Sequence, residues 1–194
     1  MKRIAIFGGT FNPVHFGHLV AAQAVKDRLR LDRVIFVPAF LPPHKKETVL
    51  ASATDRLNMV KLAIGDNPHF TCSDVEFKRK GKSYSIDTAI FFRKKFPKST
   101  ALYFIIGADE LVQLHTWKDI DQLLHLVTFV AVNRPGFIPP AKIKDLKHIK
   151  VEMPAVDISS SLIRNFVAKG RDIRYLTHPK VVEYIKKRSL YKQR

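Results

Sequence analysis

Eleven residues near the N-terminus, GGTFNPVHFGH from Gly8 to His18, combine glycines, a proline and two histidines. Gly8 and Gly9 follow an apolar run, where the absence of side chains lets the backbone turn sharply and approach a ligand. Gly17 opens a predicted helix, whose first N–H groups and positive potential favour a phosphate. His15 and His18 can both point at the same anion from that position. The pattern predicts a phosphate-binding turn, with helix capping and a zinc site as alternatives.

A second group of polar residues lies near the other end of the chain, in the sequence DISSSLIR from Asp157 to Arg164. Three serines stand at the start of a predicted helix and the arginine lies about one turn inside it. Helix capping alone is enough to explain the serines, because their hydroxyls satisfy the free backbone donors of the first turn. Together with helix amides and an arginine, which can grip a phosphate through two donors, they can also hold an anion. Both interpretations stay open on the residues alone.

Both segments resemble known signatures. GTFNPVHFGH resembles the H-x-G-H signature of the nucleotidyltransferase superfamily, and ISSSLIR resembles its I-S-S-x-x-I-R signature. Five further segments resemble the bacterial nicotinate mononucleotide adenylyltransferases, and the chain is identified as a member of that family. These segments are PAFLPPHKK (38–46), KSYSIDT (82–88), FIIGADELVQLHTW (104–117), NRPG (133–136) and HPKVVEYI (178–185).

The resemblance implies a set of site residues. The implied catalytic residues are His15, His18, Lys45 and Arg164. The implied ATP-binding residues are Gly8, Gly9, Thr10, Phe11, His15, Gly17, His18, Gly107, Asp109, Ile158, Ser159, Ser160, Ser161 and Arg164. The implied mononucleotide-binding residues are His44, Lys45, Tyr84, Thr88, Trp117 and Arg134.

Each supporting residue also has a physical role of its own. Thr88 near a helix start offers a hydroxyl and amides that suit a carboxylate, with capping as the alternative. Asp109 follows an apolar strand, where a group that binds ribose hydroxyls is expected, and it too can cap a helix. Trp117 can stack on a pyridine ring or pack in the core. Two positions depart from the family: Asn12 stands where many relatives carry Asp, and Gln113 stands where an aromatic residue is frequent.

The reaction implied by the resemblance joins ATP and nicotinate mononucleotide to give nicotinate adenine dinucleotide and pyrophosphate. Its nucleophile is a phosphate oxygen that is already ionised near neutral pH, so no general base is required. Mg²⁺ is expected to arrive mainly on the ATP phosphates, and no protein metal site is predicted. The nearest rival is another superfamily member, such as phosphopantetheine adenylyltransferase or a cytidylyltransferase.

The elements that must position these residues alternate between strands and helices. Apolar strands are predicted at 2–7, 33–38, 69–77, 101–106, 128–133 and 149–153. Helices are predicted at 17–29, 54–64 with Thr54 as N-cap, 85–96, 109–124 as one or two, 160–169 and 179–187. Strands that are apolar throughout favour a parallel sheet covered on both faces. The expected fold is α/β, a single doubly wound parallel sheet with a Rossmann-like nucleotidyltransferase fold and a C-terminal helical segment, in one domain over residues 1–194.

Composition limits the remaining function classes. The formal charge is +17, from 34 Lys and Arg against 17 Asp and Glu, which favours an anionic partner. A nucleic-acid-binding protein is the rival of a different class, but the sequence lacks the aromatic and basic signature of common RNA modules. The single cysteine, Cys72, is expected to be a packed thiol. The absence of a secretory leader or a membrane-length apolar run predicts a cytoplasmic protein without a membrane partner, while a homo-oligomer is left open.

Overall fold

A computed structural model describes residues 1–42, 51–133 and 148–192 of the chain. Its sheet has six strands in the order β3-β2-β1-β4-β5-β6, and every neighbouring pair is parallel. The strands are β1 Arg3–Gly9, β2 Arg33–Pro38, β3 Phe70–Cys72, β4 Ala101–Gly107, β5 Thr128–Val132 and β6 His148–Val151. Strand order reverses between β1 and β4, where ligands bind in doubly wound folds.

Helices cover the two faces of this sheet. They are α1 Phe16–Leu29, α2 Ala53–Ile64, α3 Val75–Arg79, α4 Ser85–Lys95, a 3₁₀ segment Ala108–Thr116, α5 Ile120–Leu126, α6 Ser160–Ala168 and α7 Pro179–Lys187. Ala5 and Phe7 of β1 belong to the core that includes residues of α1, α2, α6 and α7. Ile4 and Ile6 belong to the opposite core, which includes residues of α4 and α5. The predicted parallel sheet with two covered faces is confirmed, as is the C-terminal helical segment.

The strand predicted at 69–77 was too long. Only Phe70–Cys72 pairs with β2, and Val75–Arg79 forms the short helix α3. The chain leaves the sheet at Ser73 and Asp74, where the backbone N–H of Phe77 donates to the Asp74 carbonyl and starts the helix. An apolar run at the edge of a sheet does not distinguish a long strand from a short strand followed by a helix.

The start of the second helix also differs from the prediction. The N-cap of α2 is Ser52, whose hydroxyl oxygen accepts from the backbone N–H of Asp55 at 3.0 Å, and not Thr54. The region 109–124, predicted as one or two helices, holds two helical segments, the 3₁₀ segment and α5, and the backbone of Asp119 between them turns through the left-handed region (φ 50°). Within the three described ranges, no helix is long and apolar enough to cross a bilayer.

The C-terminal segment is held to α2 by a polar cluster around Asp55, which is 5% exposed. Its carboxylate accepts hydrogen bonds from Ser52 (2.6 Å), Tyr184 (2.8 Å) and Arg188 (3.2 Å). Burial acts to raise the pKa of Asp55, but the hydrogen bonds from Ser52, Tyr184 and Arg188 outweigh it and hold the pKa below its usual value. α7 is therefore fixed to α2 by a buried charge as well as by apolar packing.

Candidate active site

A cavity of about 800 Å³ opens at the carboxyl ends of β1 and β4, where the strand order reverses. Every predicted site residue within the described ranges lines it. These residues are Gly8, Gly9, Thr10, Phe11, His15, Gly17, His18, Tyr84, Thr88, Gly107, Asp109, Trp117, Ile158, Ser159, Ser160, Ser161 and Arg164. The predicted residues His44, Lys45 and Arg134 lie outside the described residues.

The two histidines stand together at the start of α1. His15 is the N-cap, and its backbone N–H donates to Nδ1 of His18 at 3.2 Å. Their rings lie 3.7 Å apart between centroids, with the planes inclined by 37°. Since Nδ1 of His18 accepts a hydrogen bond, the neutral ring carries its proton on Nε2. His18 therefore combines a helix-capping acceptor with a second nitrogen that can donate to an anion.

The glycines beside these rings make room for other protein side chains. A Cβ on Gly17 would lie 3.0 Å from Nδ1 of His15, and a Cβ on Gly9 would lie 2.9 Å from Cζ of Phe11. The ring of Phe11 in turn packs against His18, with centroids 5.0 Å apart at 70°. Because Gly9 and Gly17 have no side chains, the rings of Phe11 and His15 pack directly against their backbone, in addition to any close approach of a ligand.

Distant side chains fix the turn between β1 and α1. Four of its backbone carbonyls lie outside strand and helix, and each accepts a hydrogen bond from a side chain far away in sequence. The pairs are Arg56 Nη1 to Thr10 (2.8 Å), Arg164 Nη1 to Asn12 (3.0 Å), Ser160 Oγ to Pro13 (2.8 Å) and Thr177 Oγ1 to Val14 (2.7 Å). Three of these four donors come from the C-terminal part of the chain.

The serines at the start of α6 contact both the backbone of that helix and the guanidinium of Arg164. Ser159 caps the helix, because its hydroxyl oxygen accepts from the backbone N–H of Leu162 at 3.1 Å. Ser160 directs its hydroxyl hydrogen at the Pro13 carbonyl, and Ser161 accepts from Arg164 Nη2 at 3.3 Å. The hydroxyls of Ser159 and Ser160 are thus engaged within the protein. The donors that suit an anion here are the first-turn N–H groups of α6 and the guanidinium of Arg164.

At the opposite end of the cavity, Thr88 is almost fully buried. Its hydroxyl donates to Oε1 of Glu76 at 2.7 Å, and Glu76 also lines the cavity. A hydroxyl committed to a carboxylate of the protein cannot donate its hydrogen to a carboxylate of a ligand. The geometry therefore does not favour a hydrogen bond from the Thr88 hydroxyl to the carboxylate of a ligand. The N-terminus of α4 still lines the cavity at Tyr84 and Ser85.

Trp117 and Tyr84 give the same end of the cavity an aromatic lining. Trp117 forms T-shaped contacts with Phe104 (centroids 6.1 Å apart, planes at 77°) and Phe129 (6.1 Å, 75°), which restrain the orientation of its indole. The ammonium of Lys118 lies 4.9 Å from the centroid of the Tyr84 ring, within range of a cation–π interaction. The sequence patterns did not single out Lys118, although it directly follows Trp117.

Asp109 lies just beyond β4, in the first turn of the 3₁₀ segment. Its carboxylate folds back over Gly107 so closely that a Cβ at residue 107 would overlap Oδ1 of Asp109. Glycine at residue 107 thus permits the position of the carboxylate in the cavity wall. Gln113 also lines the cavity, so the family departure noted at that residue falls in the site itself.

Sequence patterns missed two polar residues that shape the site, Arg56 and Asn133. Arg56 is 1% exposed and donates to the carbonyls of Thr10, Ala39, Phe40 and Ala51, a task that no helical pattern reveals. Burial lowers the pKa of Arg56, yet a guanidinium stays charged at neutral pH. Asn133, at the end of β5, exchanges two hydrogen bonds with the backbone of Met153 and so ties two cavity-lining segments together.

The described residues contain no group of three or more His, Cys, Asp or Glu side chains placed to hold a metal ion. Cys72 lies outside the cavity lining, and burial raises the pKa of its thiol to about 12, so the sulfur is protonated at neutral pH. This agrees with the packed thiol that was expected at this position.

Comparisons with known proteins give a consistent result. A family model described as cytidylyltransferase-like matches residues 6–166. A probable nicotinate-nucleotide adenylyltransferase of Lactiplantibacillus plantarum is 46% identical over 99% of this chain and 89% of its own length. A protein of the same name from Shouchella clausii is 47% identical over 98% of this chain and 97% of its own length.

Solved structures share the fold at lower identity. The nicotinic acid mononucleotide adenylyltransferase of Plasmodium falciparum complexed with NaAD has a TM-score of 0.83 at 23% identity, with 98% of both chains covered. A putative nicotinate-nucleotide adenylyltransferase of Vibrio parahaemolyticus has a TM-score of 0.74 at 21% identity, covering 100% of this chain and 98% of its own.

Proposed function

The chain belongs to the cytidylyltransferase-like family and, within it, to the nicotinate-nucleotide adenylyltransferases, and on this premise we propose how its cavity carries out the reaction. The enzyme transfers the adenylyl group of ATP to nicotinate mononucleotide, and it releases nicotinate adenine dinucleotide and pyrophosphate in NAD biosynthesis. The observation that carries the mechanism is the meeting of two anion-binding helix starts, those of α1 and α6, in one cavity.

The nucleophile is an oxygen of the 5′-phosphate of the mononucleotide, and it attacks the α-phosphorus of ATP while pyrophosphate leaves. A phosphate monoester has its second pKa near 6, so the attacking oxygen is ionised at neutral pH and needs no general base. Catalysis then consists of aligning two anions that repel each other and of stabilising the charge that develops on the transferred group. A cavity with cationic and N–H donors at its triphosphate end suits this task.

The triphosphate binds between the starts of α1 and α6. His18 donates from Nε2, His15 stands beside it, and Arg164 reaches the same region from α6. Helix N-termini add backbone N–H donors and positive potential. Mg²⁺ enters as part of the MgATP substrate, since this ion keeps phosphate and water ligands in preference to a full set of protein ligands. Gly107 and Asp109 line the wall where the ribose of ATP is expected.

The mononucleotide binds at the end of the cavity formed by α4 and the 3₁₀ segment. Trp117 lines this end of the cavity, and its indole stacks on the pyridine ring of the substrate. The carboxylate of the substrate approaches the N-terminus of α4, where Tyr84 and Ser85 line the cavity. The hydroxyl of Thr88 stays hydrogen-bonded to Glu76. His44, Lys45 and Arg134 remain proposed phosphate contacts on the resemblance alone.

We also propose that residues 1–194 form one nucleotidyltransferase domain. This proposal is supported by the hydrogen bonds that join residues 12–14 to residues 160–177 across the cavity wall. Neither anion-binding turn is complete without the other part of the chain.

The test is pyrophosphate release by the purified full-length protein with MgATP and one acceptor at a time. Nicotinate mononucleotide should support release, phosphopantetheine should not, and nicotinamide mononucleotide measures the preference for acid over amide. Release with phosphopantetheine alone would assign the protein to a different acceptor class. No release with either pyridine nucleotide would overturn the proposed reaction.

A further inference from the structure

Asn12 occupies the centre of the turn between the glycine pair and the histidines, and it is 2% exposed. Its side-chain Oδ1 accepts two hydrogen bonds, from the backbone N–H of Ala51 at 3.0 Å and from the hydroxyl of Tyr191 at 2.8 Å. Its backbone carbonyl accepts from Arg164. Three separate parts of the chain thus converge on one residue that lies three positions before His15.

Tyr191 reaches this turn from the last turn of the described chain, 179 positions away in sequence. Its side chain is 8% exposed and belongs to the same apolar core as Phe7, Phe11 and Val14. A buried hydroxyl needs a hydrogen-bond partner, and here the partner is the side chain of Asn12. The aromatic ring therefore contributes packing, while the hydroxyl contributes a directed contact to the nucleotide-binding turn.

We propose that Tyr191 is a positioning residue for adenylyl transfer: its hydroxyl orients Asn12, and Asn12 holds the turn that carries His15 and His18. Without the hydroxyl, Oδ1 of Asn12 loses the Tyr191 donor while the Ala51 donor remains, so the turn loses a directed contact at this residue. A small displacement of His18 then weakens its alignment with the triphosphate. The inference rests on the proposed adenylyl transfer.

Tyr184 provides a matched control within the same C-terminal segment. Its hydroxyl also donates a hydrogen bond from the C-terminal segment, but the acceptor is Asp55 of α2, and Tyr184 does not line the cavity. A hydrogen bond to a charged acceptor is worth more than one to a neutral acceptor, so Tyr184→Phe should destabilise the fold at least as much as Tyr191→Phe. A purely structural role of Tyr191 would make the two variants lose activity alike.

The experiment measures kcat and the KM of both substrates for Tyr191→Phe and Tyr184→Phe, together with their thermal unfolding midpoints. Tyr191→Phe should lower kcat roughly 10-fold, because misplacement of a catalytic group by a fraction of an ångström is costly. The KM for nicotinate mononucleotide should stay within about 2-fold, since Tyr191 is not among the residues that line the cavity. Tyr184→Phe should keep the kcat of the wild type.

A double-mutant cycle then tests the route through Asn12. Asn12→Asp keeps an oxygen acceptor and should keep most of kcat, whereas Asn12→Leu removes the acceptor. In the Asn12→Leu background, adding Tyr191→Phe should cause no further loss of kcat.

Each outcome decides the proposal. A wild-type kcat in Tyr191→Phe, or an equal loss in Tyr184→Phe, would overturn it, and so would a full additional loss in the Asn12→Leu background. Wild-type protein that releases no pyrophosphate would instead refute the proposed reaction, so the two failures are distinguishable.

Discussion

The two histidines at the end of the turn between β1 and α1 make different contacts although they lie three residues apart. His15 ends the turn and caps α1, and its backbone N–H occupies Nδ1 of His18. That contact fixes both the ring orientation and the tautomer of His18, so Nε2 is the nitrogen that donates. A backbone contact thereby sets the direction of the hydrogen bond that we propose to be catalytic.

His18→Ala should lower kcat by about 10²–10³, the typical loss when one donor to a developing charge is removed. His18→Asn is a matched variant, because its Oδ1 can still accept from the backbone of His15 while its shorter Nδ2 amide does not reach the position of Nε2. Both variants should give a wild-type far-UV circular dichroism spectrum, and steady-state pyrophosphate release measures kcat. Near-normal turnover in folded His18→Asn would remove Nε2 from the proposed mechanism.

Single residues were predictable where a short motif carries them, as with His15, His18 and the serines before Arg164. Their position in one cavity followed from the rule for parallel sheets. Thr88, Glu76 and Arg56 show the limit of that approach. The partner of the Thr88 hydroxyl lies 12 positions away on a segment that was expected to be a strand, and the partners of Arg56 are backbone carbonyls. No residue type or spacing reveals such contacts.

Among the elements, α7 has a task that its amphipathic sequence does not disclose. It places Tyr184 and Arg188 on the buried carboxylate of Asp55 in α2. The longer helices and the inner strands were predictable, since long apolar patterns identify them. The edge strand β3, the short helix α3 and the 3₁₀ form of residues 108–116 were not, because a three-residue strand, a five-residue helix and a 3₁₀ segment depend on tertiary contacts and on local backbone conformation.

Asp55→Asn should lower the free energy of unfolding at pH 7 by about 2 kcal/mol, because hydrogen bonds to a buried charge are lost. The pKa of Asp55 is lower in the folded protein than its ordinary value of 3.8. The stability that the ionised carboxylate of Asp55 contributes is therefore fully present above pH 3.8, and it is lost as the pH falls through the lower pKa of the folded protein. Urea unfolding from pH 7 down to pH 2 should show the wild type and the variant converging only below pH 3.8.

The exposed residue Asp172 supplies the control, because its pKa is also lowered, by the backbone and side chain of Arg174. Asp172→Asn should unfold like the wild type at every pH, since solvent screens an exposed pair. A constant difference between wild type and Asp55→Asn down to pH 2 would contradict a charged Asp55 in the cluster.

For the whole molecule, the formal charge of +17 creates a positive field around the cavity in which we propose that two phosphate-bearing substrates bind. The basic residues are scattered over the chain, and their combined field is long-ranged. Such a field raises the rate at which anions enter, and salt screens it beyond about 8 Å at physiological ionic strength.

Raising NaCl from about 20 to about 300 mM should lower kcat/KM for ATP several-fold while kcat at saturating substrate changes little. Initial rates of pyrophosphate release at fixed free Mg²⁺ measure both quantities. Sucrose at matched osmolality is the control, because it leaves electrostatic screening unchanged. A kcat/KM that does not depend on salt would mean that the basic residues serve only as solvated surface.

The side-chain hydrogen bonds to the turn of residues 10–14 also determine how late in synthesis this turn can be completed. The turn is synthesised long before its partners, because Ser160, Arg164, Thr177 and Tyr191 join it across separations of 147 to 179 positions. Contacts at such separations close late in folding. A nascent chain can therefore assemble its inner strands well before this turn has all of its side-chain hydrogen bonds. Until residues 160–191 have been made and folded, the turn lacks the donors Ser160, Arg164, Thr177 and Tyr191.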